Sequence, residues 1–256
     1  MMKQIMIGLL ITSLSFFFVS GLLSQEVVVQ PSDRLKNPQR PLVDEPEKLV
    51  PLHPNGEIWI TEDKKNVIFN GMVCLNQGML EFFLCSTNTK EYESVISTSA
   101  KPYIIHAGLL ATGIEPGTPV RHTPKYEAPT GPTIEIKVRW LDQDGKRQEQ
   151  DAREWIQNAK TKKALDTPWV FTGSLLQKQN DGKLRYLADS TGEIIGVANF
   201  PTVVLDIPIE STDKNESLVF QAFTKNIPPS GTEVTLILSP KIEKETTESS
   251  SPKKQQ

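Results

Sequence analysis

Ile134-Glu135-Ile136-Lys137-Val138-Arg139-Trp140 decides how this chain folds. Apolar and charged side chains alternate strictly along it. Successive side chains of a strand point to opposite faces, so Ile134, Ile136, Val138 and Trp140 line a dry face and Glu135, Lys137 and Arg139 a wet one. A helix would scatter the same residues around its axis. Asp142-Gln143-Asp144-Gly145 then turns the chain toward a short strand near 146–150. The turn has a superficial likeness to a calcium loop but lacks the further ligands and the terminal glutamate.

The same reasoning places strands at 67–75, 79–85, 169–176, 184–187, 193–197, 202–205, 218–223 and 232–238. Turns separate them at Asn76-Gln77-Gly78, Asn180-Asp181-Gly182, Ser190-Thr191-Gly192 and Pro228-Pro229-Ser230-Gly231. Two helices are predicted. One covers about 102–112, with Pro102 at its first position and Gly113 past its end, and it is apolar nearly all round. The other covers about 152–162, where Asp151 and Glu154 make a capping box and Ala152, Trp155, Ile156 and Ala159 form an apolar stripe. Many strands with two helices define an α+β protein with a mainly antiparallel or mixed sheet. Trp140, Trp155 and Trp169 fall at core-facing positions, as packing residues.

The chain has 256 residues and a net charge of −3, which gives nucleic acid no electrostatic footprint. Lys3 followed by the apolar run 5–19 and small residues at Ser20, Gly21 and Ser24 reads as an export signal over 1–24, with an uncleaved anchor as the alternative. No later segment is hydrophobic enough to cross a membrane. Export places the mature chain in the periplasm or outside the cell, within the cell envelope. Prolines 31, 38, 41, 46, 51 and 54 mark 25–55 as an extended linker. Residues 241–256 are Lys, Glu, Ser and Thr with almost nothing to bury and are expected to be disordered. One folded domain is left, at 56–240. Asn215-Glu216-Ser217 matches a glycosylation acceptor, a pattern common by chance.

Cys74 and Cys85 in an oxidising compartment suggest a disulfide. A hairpin of 67–75 and 79–85 would instead hold their backbones roughly 13–16 Å apart at strand rise. A disulfide needs Cα atoms within about 7 Å. Two buried thiols are therefore expected, with a redox pair requiring the sulfurs to be close together and near the surface.

The concentrated polar chemistry lies in Thr89-Lys90-Glu91-Tyr92-Glu93-Ser94 and in His106 of the first helix. On a functional reading Glu91 and Glu93 are acceptors, or one of them a general base, His106 is a proton carrier or metal ligand and Lys90 is an electrostatic clamp, as in a hydrolase or metal-assisted enzyme. On a structural reading Lys90 pairs a glutamate at a sheet edge and His106 is a core histidine bonded to backbone. The chain has three histidines, His53, His106 and His122, and no HExxH or CxxC, so no metal site and no cofactor are assigned. The Pro-rich stretch 115–132, which contains Arg121, His122 and Lys125, is either a binding loop or an ordered crossover.

Two segments together resemble the YdjY-domain family of exported bacterial proteins, in a longer variant: Lys90-Glu91-Tyr92-Glu93-Ser94, and His106-Ala107-Gly108-Leu109-Leu110-Ala111-Thr112-Gly113 with Pro116-Gly117 after it. The family pattern has histidine where Tyr92 stands, which removes one of the two histidines that a metal or acid–base site would need. The resemblance extends over about 56–238 and implies an exported single-domain protein. Iron–sulfur ligation described for some relatives is not carried over, because two cysteines cannot supply four thiolates. With no complete catalytic set, the expected role is a non-enzymatic binding module for an envelope protein or a small ligand, with Lys90, Glu91, Glu93 and His106 as the candidate cluster.

Overall fold

The computed structural model describes residues 41–54, 57–211 and 218–241. The expected leader, the first part of the linker, the glycosylation pattern at Asn215 and the tail beyond Lys241 lie outside them. Among the described residues the strands are, in chain order, β1 Leu49–Pro51, β2 Ile58–Thr61, β3 Val67–Val73, β4 Phe82–Ser86, β5 Ser94–Thr98, β6 Thr133–Leu141, β7 Arg147–Asp151, β8 Ile156–Asn158, β9 Trp169–Phe171, β10 Leu176–Lys178, β11 Leu184–Tyr186, β12 Glu193–Gly196, β13 Leu205–Asp206, β14 Phe220–Ala222 and β15 Glu233–Pro240. The helices are α1 Pro102–Ala111 and α2 Leu187–Thr191.

β6 is built as its alternation requires. Ile134, Ile136, Val138 and Trp140 are buried while Glu135 and Lys137 are exposed. The half-covered Arg139 bonds Glu149 of β7 at 2.5 Å and Asp44 at 3.2 Å. Asp142 closes the β6–β7 turn by accepting from the amides of Asp144 and Lys146.

β6 is one stave of a closed eight-stranded barrel, β3-β15-β6-β9-β13-β12-β4-β5, and the Met72↔Ser97 and Val73↔Ile96 pairs return β5 to β3. The fold is therefore mostly β, a barrel where the sequence predicts a mixed sheet with two helices. β4–β5 and β12–β13 are parallel and the other barrel pairs antiparallel. The interior of an eight-stranded barrel is just wide enough to be filled by side chains or to hold one small ligand. Phe69, Val138, Trp169, Phe171, Leu205 and Leu236 are all buried within one apolar cluster. Phe83 packs on Trp169 at 5.3 Å, and Trp155 meets Trp140 at 5.4 Å, so all three tryptophans are packing residues as expected.

Closure overturns the expected hairpin between 67–75 and 79–85. β3 and β4 do not pair, because β5 lies between them. The expected turn and the start of the expected second strand bond elsewhere: Gly78 O accepts from the Ala222 amide and Leu80 donates to Phe220 O. The segment 41–51, inside the expected linker, lies along the barrel. β1 pairs with β2, and the Leu42 amide donates to Thr235 Oγ1.

The second predicted helix is absent. Asp151 caps only a 3-10 turn, Ala152–Trp155, by accepting from the Arg153 amide. β8 follows and pairs with β14, and the Asn158 side chain then caps Lys160 and Thr161. Ala152, Trp155 and Ile156 are fully buried, so the stripe is real. Over so short a window it fits a tight turn running into a strand as well as it fits a helix. The second helix is instead α2, where a strand end and a turn are predicted. It stops at Gly192, whose φ of +78° suits a helix C-terminus.

α1 forms as predicted and closes one end of the barrel. Gly108 sits against Val67, the first residue of β3, and His106 against Phe171, the last of β9. Three antiparallel steps make β3 and β9 run oppositely, so those two residues share an end. A Cβ at Gly108 would lie 2.8 Å from Leu52 Cδ1 and 3.0 Å from Val67 Cγ1, which explains a small residue there. The 115–132 stretch is ordered: Thr118 pairs with Thr130, Arg121 with Glu127, and Gly117 donates to Phe171 O. Among the described residues no helix is long and apolar enough to cross a membrane.

Candidate functional site

Parallel β4 and β5 need a crossover, and residues 87–93 provide it. Its end winds into a 3-10 turn, Glu91–Glu93. The two glutamates therefore do not share an extended face. Glu91 turns back and accepts from the amides of Asn88 and Thr89. Glu93 pairs with Lys90 at 2.9 Å, and Ser94 Oγ donates to Lys90 O. Lys90 also approaches Glu193 at 3.9 Å and lies over the Phe82 ring. Partial burial opposes its charge most strongly of any single cause, but the hydrogen bond to Glu93 together with the charges of Glu93, Tyr92 and Glu193 outweighs it and raises its pKa. Glu193 is buried, takes a hydrogen bond from Thr202 and was not foreseen as part of this group. Tyr92 is 70% exposed.

His106 is engaged elsewhere. Its Nδ1 is 2.9 Å from Tyr186 Oη, the ring bonds the Gly173 backbone, and it packs edge-on against Phe171 and Tyr186. Burial lowers its pKa and favours the neutral ring. Burial likewise raises the Tyr186 phenol. The structure thus joins Lys90 to Glu93, turns Glu91 onto its own loop, and gives His106 partners from β11 and the segment after β9.

Tyr186 ends β11, and β10 and β11 form a separate two-stranded sheet with no third strand. Leu176 faces Tyr186 and Leu184 faces Lys178, so all four side chains share one face of the hairpin. Leu176 is 62% and Leu184 65% exposed. On α1, Tyr103 and Leu110 lie two turns apart on the side that carries His106, and both are exposed. The Tyr103 amide is tied to Asp189 of α2 at 3.0 Å. Exposed apolar side chains thus lie both on the hairpin and on the helix that the His106–Tyr186 bond joins. Nothing in the polarity of 176–186 distinguishes such an arm from a strand of the barrel.

A third polar group was also missed. Asn199 is buried and receives Tyr126 Oη at 3.1 Å and the Ser211 amide at 2.8 Å. Its Nδ2 donates to Ile207 O and to Asp206 Oδ1. His122 Nε2 lies 3.3 Å from Asn199 O, so the 115–132 stretch brings its histidine here and not to His106. Burial holds the Asp206 carboxyl well above the usual carboxylate range. Its Oδ2 has no hydrogen-bond partner among the described residues. The group ties the crossover to the 199–211 segment.

Among the described residues no three His, Cys, Asp or Glu side chains gather to hold a metal. Surface grooves are lined by Pro41, Pro46, Leu49 and Trp59, and by Trp140, Leu141, Asn226 and Pro229, away from all of these side chains.

The model of the YdjY domain matches residues 58–239, from the first residue of β2 almost to the end of β15. No curated protein and no solved structure matches the chain. The match takes in every barrel strand together with the Lys90–Ser94 turn and α1, and the chain belongs to the YdjY-domain family.

Proposed function

We propose that the protein is an exported, non-enzymatic interaction module that docks an apolar surface of an envelope protein against the β10–β11 hairpin, beside His106 and Tyr186. One observation carries this reading: Leu176 and Leu184 stand uncovered on the same face of a hairpin that joins no larger sheet. Isolated two-stranded hairpins are marginal in water, and contiguous exposed apolar surface marks interaction sites. The His106–Tyr186 bond ties the arm to α1, and the Leu187 amide on Leu175 O closes the arm's base, so it presents a preformed face. Export rests on the residue pattern of 1–24. In this reading Lys90, Glu91 and Glu93 hold the crossover turn, and His106 positions the arm.

The test compares the full chain with its Leu176→Ser/Leu184→Ser variant in co-purification from envelope extract. A partner held by the wild type and lost by the equally folded variant supports the module. Identical sets of retained proteins, or retention of a second copy of the chain alone, overturns it.

A further inference from the structure

The β10–β11 arm has an open edge as well as an apolar face. The Leu187 amide donates to Leu175 O at 2.9 Å and the Gln179 amide to Lys183 O at 2.8 Å. Bonded and non-bonded pairs alternate along an antiparallel ladder, so Gln177↔Arg185 is a bonded pair and Leu176↔Tyr186 and Lys178↔Leu184 are not. The backbone N–H and C=O groups of Leu176 and Lys178 therefore point away from β11. Every residue of β10 is exposed, and among the described residues no third strand joins the sheet. An unpaired edge of this kind is a template for another strand.

Charge narrows what fits the edge. Lys178 shares one face with Leu176 and Leu184. Lys183 pairs with Asp181 at 3.5 Å, but Lys178 and Arg185 have no ion pair among the described residues. Carboxylates at the base of the arm are placed elsewhere: Asp189 accepts from the Tyr103 amide and lies near Lys101, and Glu115 lies near His106. A second copy of the chain would set the same free cations edge to edge. The hydrocarbon of a lipid surface would leave the outward backbone groups without partners. A strand that carries carboxylates meets both demands.

We propose that the partner docks through an extended acidic segment, which adds as a third strand to the open edge of β10 with an apolar side chain beside Leu176 and a carboxylate beside Lys178, two positions apart. This rests on the docking reading above and specifies the element that docks. Backbone hydrogen bonds to Leu176 and Lys178 hold the segment, and its alternate side chains give the selection. The apolar residue extends the Leu176–Leu184 face. The ion pair with Lys178 fixes the register, since a slip of one residue would turn the carboxylate to the other face.

The experiment treats the full chain in its native envelope with a carbodiimide, which joins a lysine amine to a touching carboxylate as an amide, and sequences the Lys178 peptide by mass spectrometry. The expected product links Lys178 to an Asp or Glu of an envelope protein, two positions from an apolar residue. The same protein should be labelled by a photo-crosslinking residue at Leu184. Lys178→Glu should lower that labelling roughly tenfold, because it sets like charges side by side. Lys178→Pro removes an outward amide and none of the arm's own hydrogen bonds. It should lower the labelling further than Lys178→Gln, with amide exchange at Gln179 and Leu187 unchanged. Three results overturn the added strand and leave the docking surface standing: labelling at 184 without coupling at Lys178, labelling indifferent to Lys178→Glu, or equal labelling in Lys178→Pro and Lys178→Gln. Coupling to a second copy of the chain alone, or no protein labelled at 184, overturns both.

Discussion

Gly71→Ala strikes the seam that closes the barrel. Gly71 lies in β3 beside the two residue pairs that join it to β5. A Cβ there would stand 2.7 Å from Ile96 Cγ2, 2.9 Å from Ser97 O and 3.3 Å from Leu236 Cδ1. Ordinary contact begins near 3.4 Å. The Ile96 methyl can rotate away in part, but Ser97 O belongs to the backbone of a paired strand, so β5 must shift. Overpacking of this kind costs about 1–3 kcal/mol. In a domain of this size each kcal/mol lowers the melting temperature by roughly 2–4 °C. Urea denaturation measures the loss, and amide exchange locates it at Met72, Val73, Ile96 and Ser97. Ile96→Ala alone leaves a cavity, but in the double variant it makes room for the new methyl. The pair should therefore lose less than the sum of the singles, with a coupling of about 0.5–3 kcal/mol. A Gly71→Ala protein with wild-type stability and unchanged exchange at those amides would show that β3 and β5 do not meet there.

Three further outcomes are expected. Asp206 has a folded-state pKa raised by burial, so its contribution to stability is full below the unfolded value of about 3.9 and is lost as pH rises through the folded one. Asp206→Asn removes that loss, and its urea midpoint should gain on the wild type from acid to neutral pH; a constant difference contradicts the assignment. His106, lowered by burial, should titrate in NMR below the ordinary value of about 6.5, and its contribution, full above that value, should fade as pH falls through the folded one. A midpoint above the ordinary value would mean that the ring is not held neutral. Leu176→Ser/Leu184→Ser should change folding stability by no more than about 0.5 kcal/mol per site, because both side chains are exposed; a larger loss in urea would show them packed.

Local pattern carried the staves of the fold and not their closure. The alternation of 134–140 and the Asp142–Gly145 turn are set by neighbours in sequence, and both formed as read. Pro102 and Gly113 likewise bounded α1. Closure depends on β5 pairing with β3 and on two parallel contacts, and such long-range pairings leave no short-range trace. The same gap hid that Cys74 and Cys85 lie on opposite sides of β5, both as free thiols, since the nearest apparent partner of 67–75 was the next strand along the chain. At 152–162 the stripe was right and the backbone wrong, because Asn158 and the β14 ladder take up the donors that a helix would use. Within the candidate cluster Lys90 and Glu93 met because they are three residues apart. Glu193 and Tyr186, which complete the surroundings of Lys90 and His106, come from segments roughly eighty or more residues away.

The uncovered hairpin as a docking surface is tested most directly by a photo-crosslinking residue placed at Leu184 in the full-length chain within its native envelope. Leu141, also apolar and 48% exposed, is the control position. A discrete adduct with one envelope protein at 184, absent at 141 and abolished by Leu176→Ser, is the predicted result. Equal labelling at both positions, or none at 184, would contradict it.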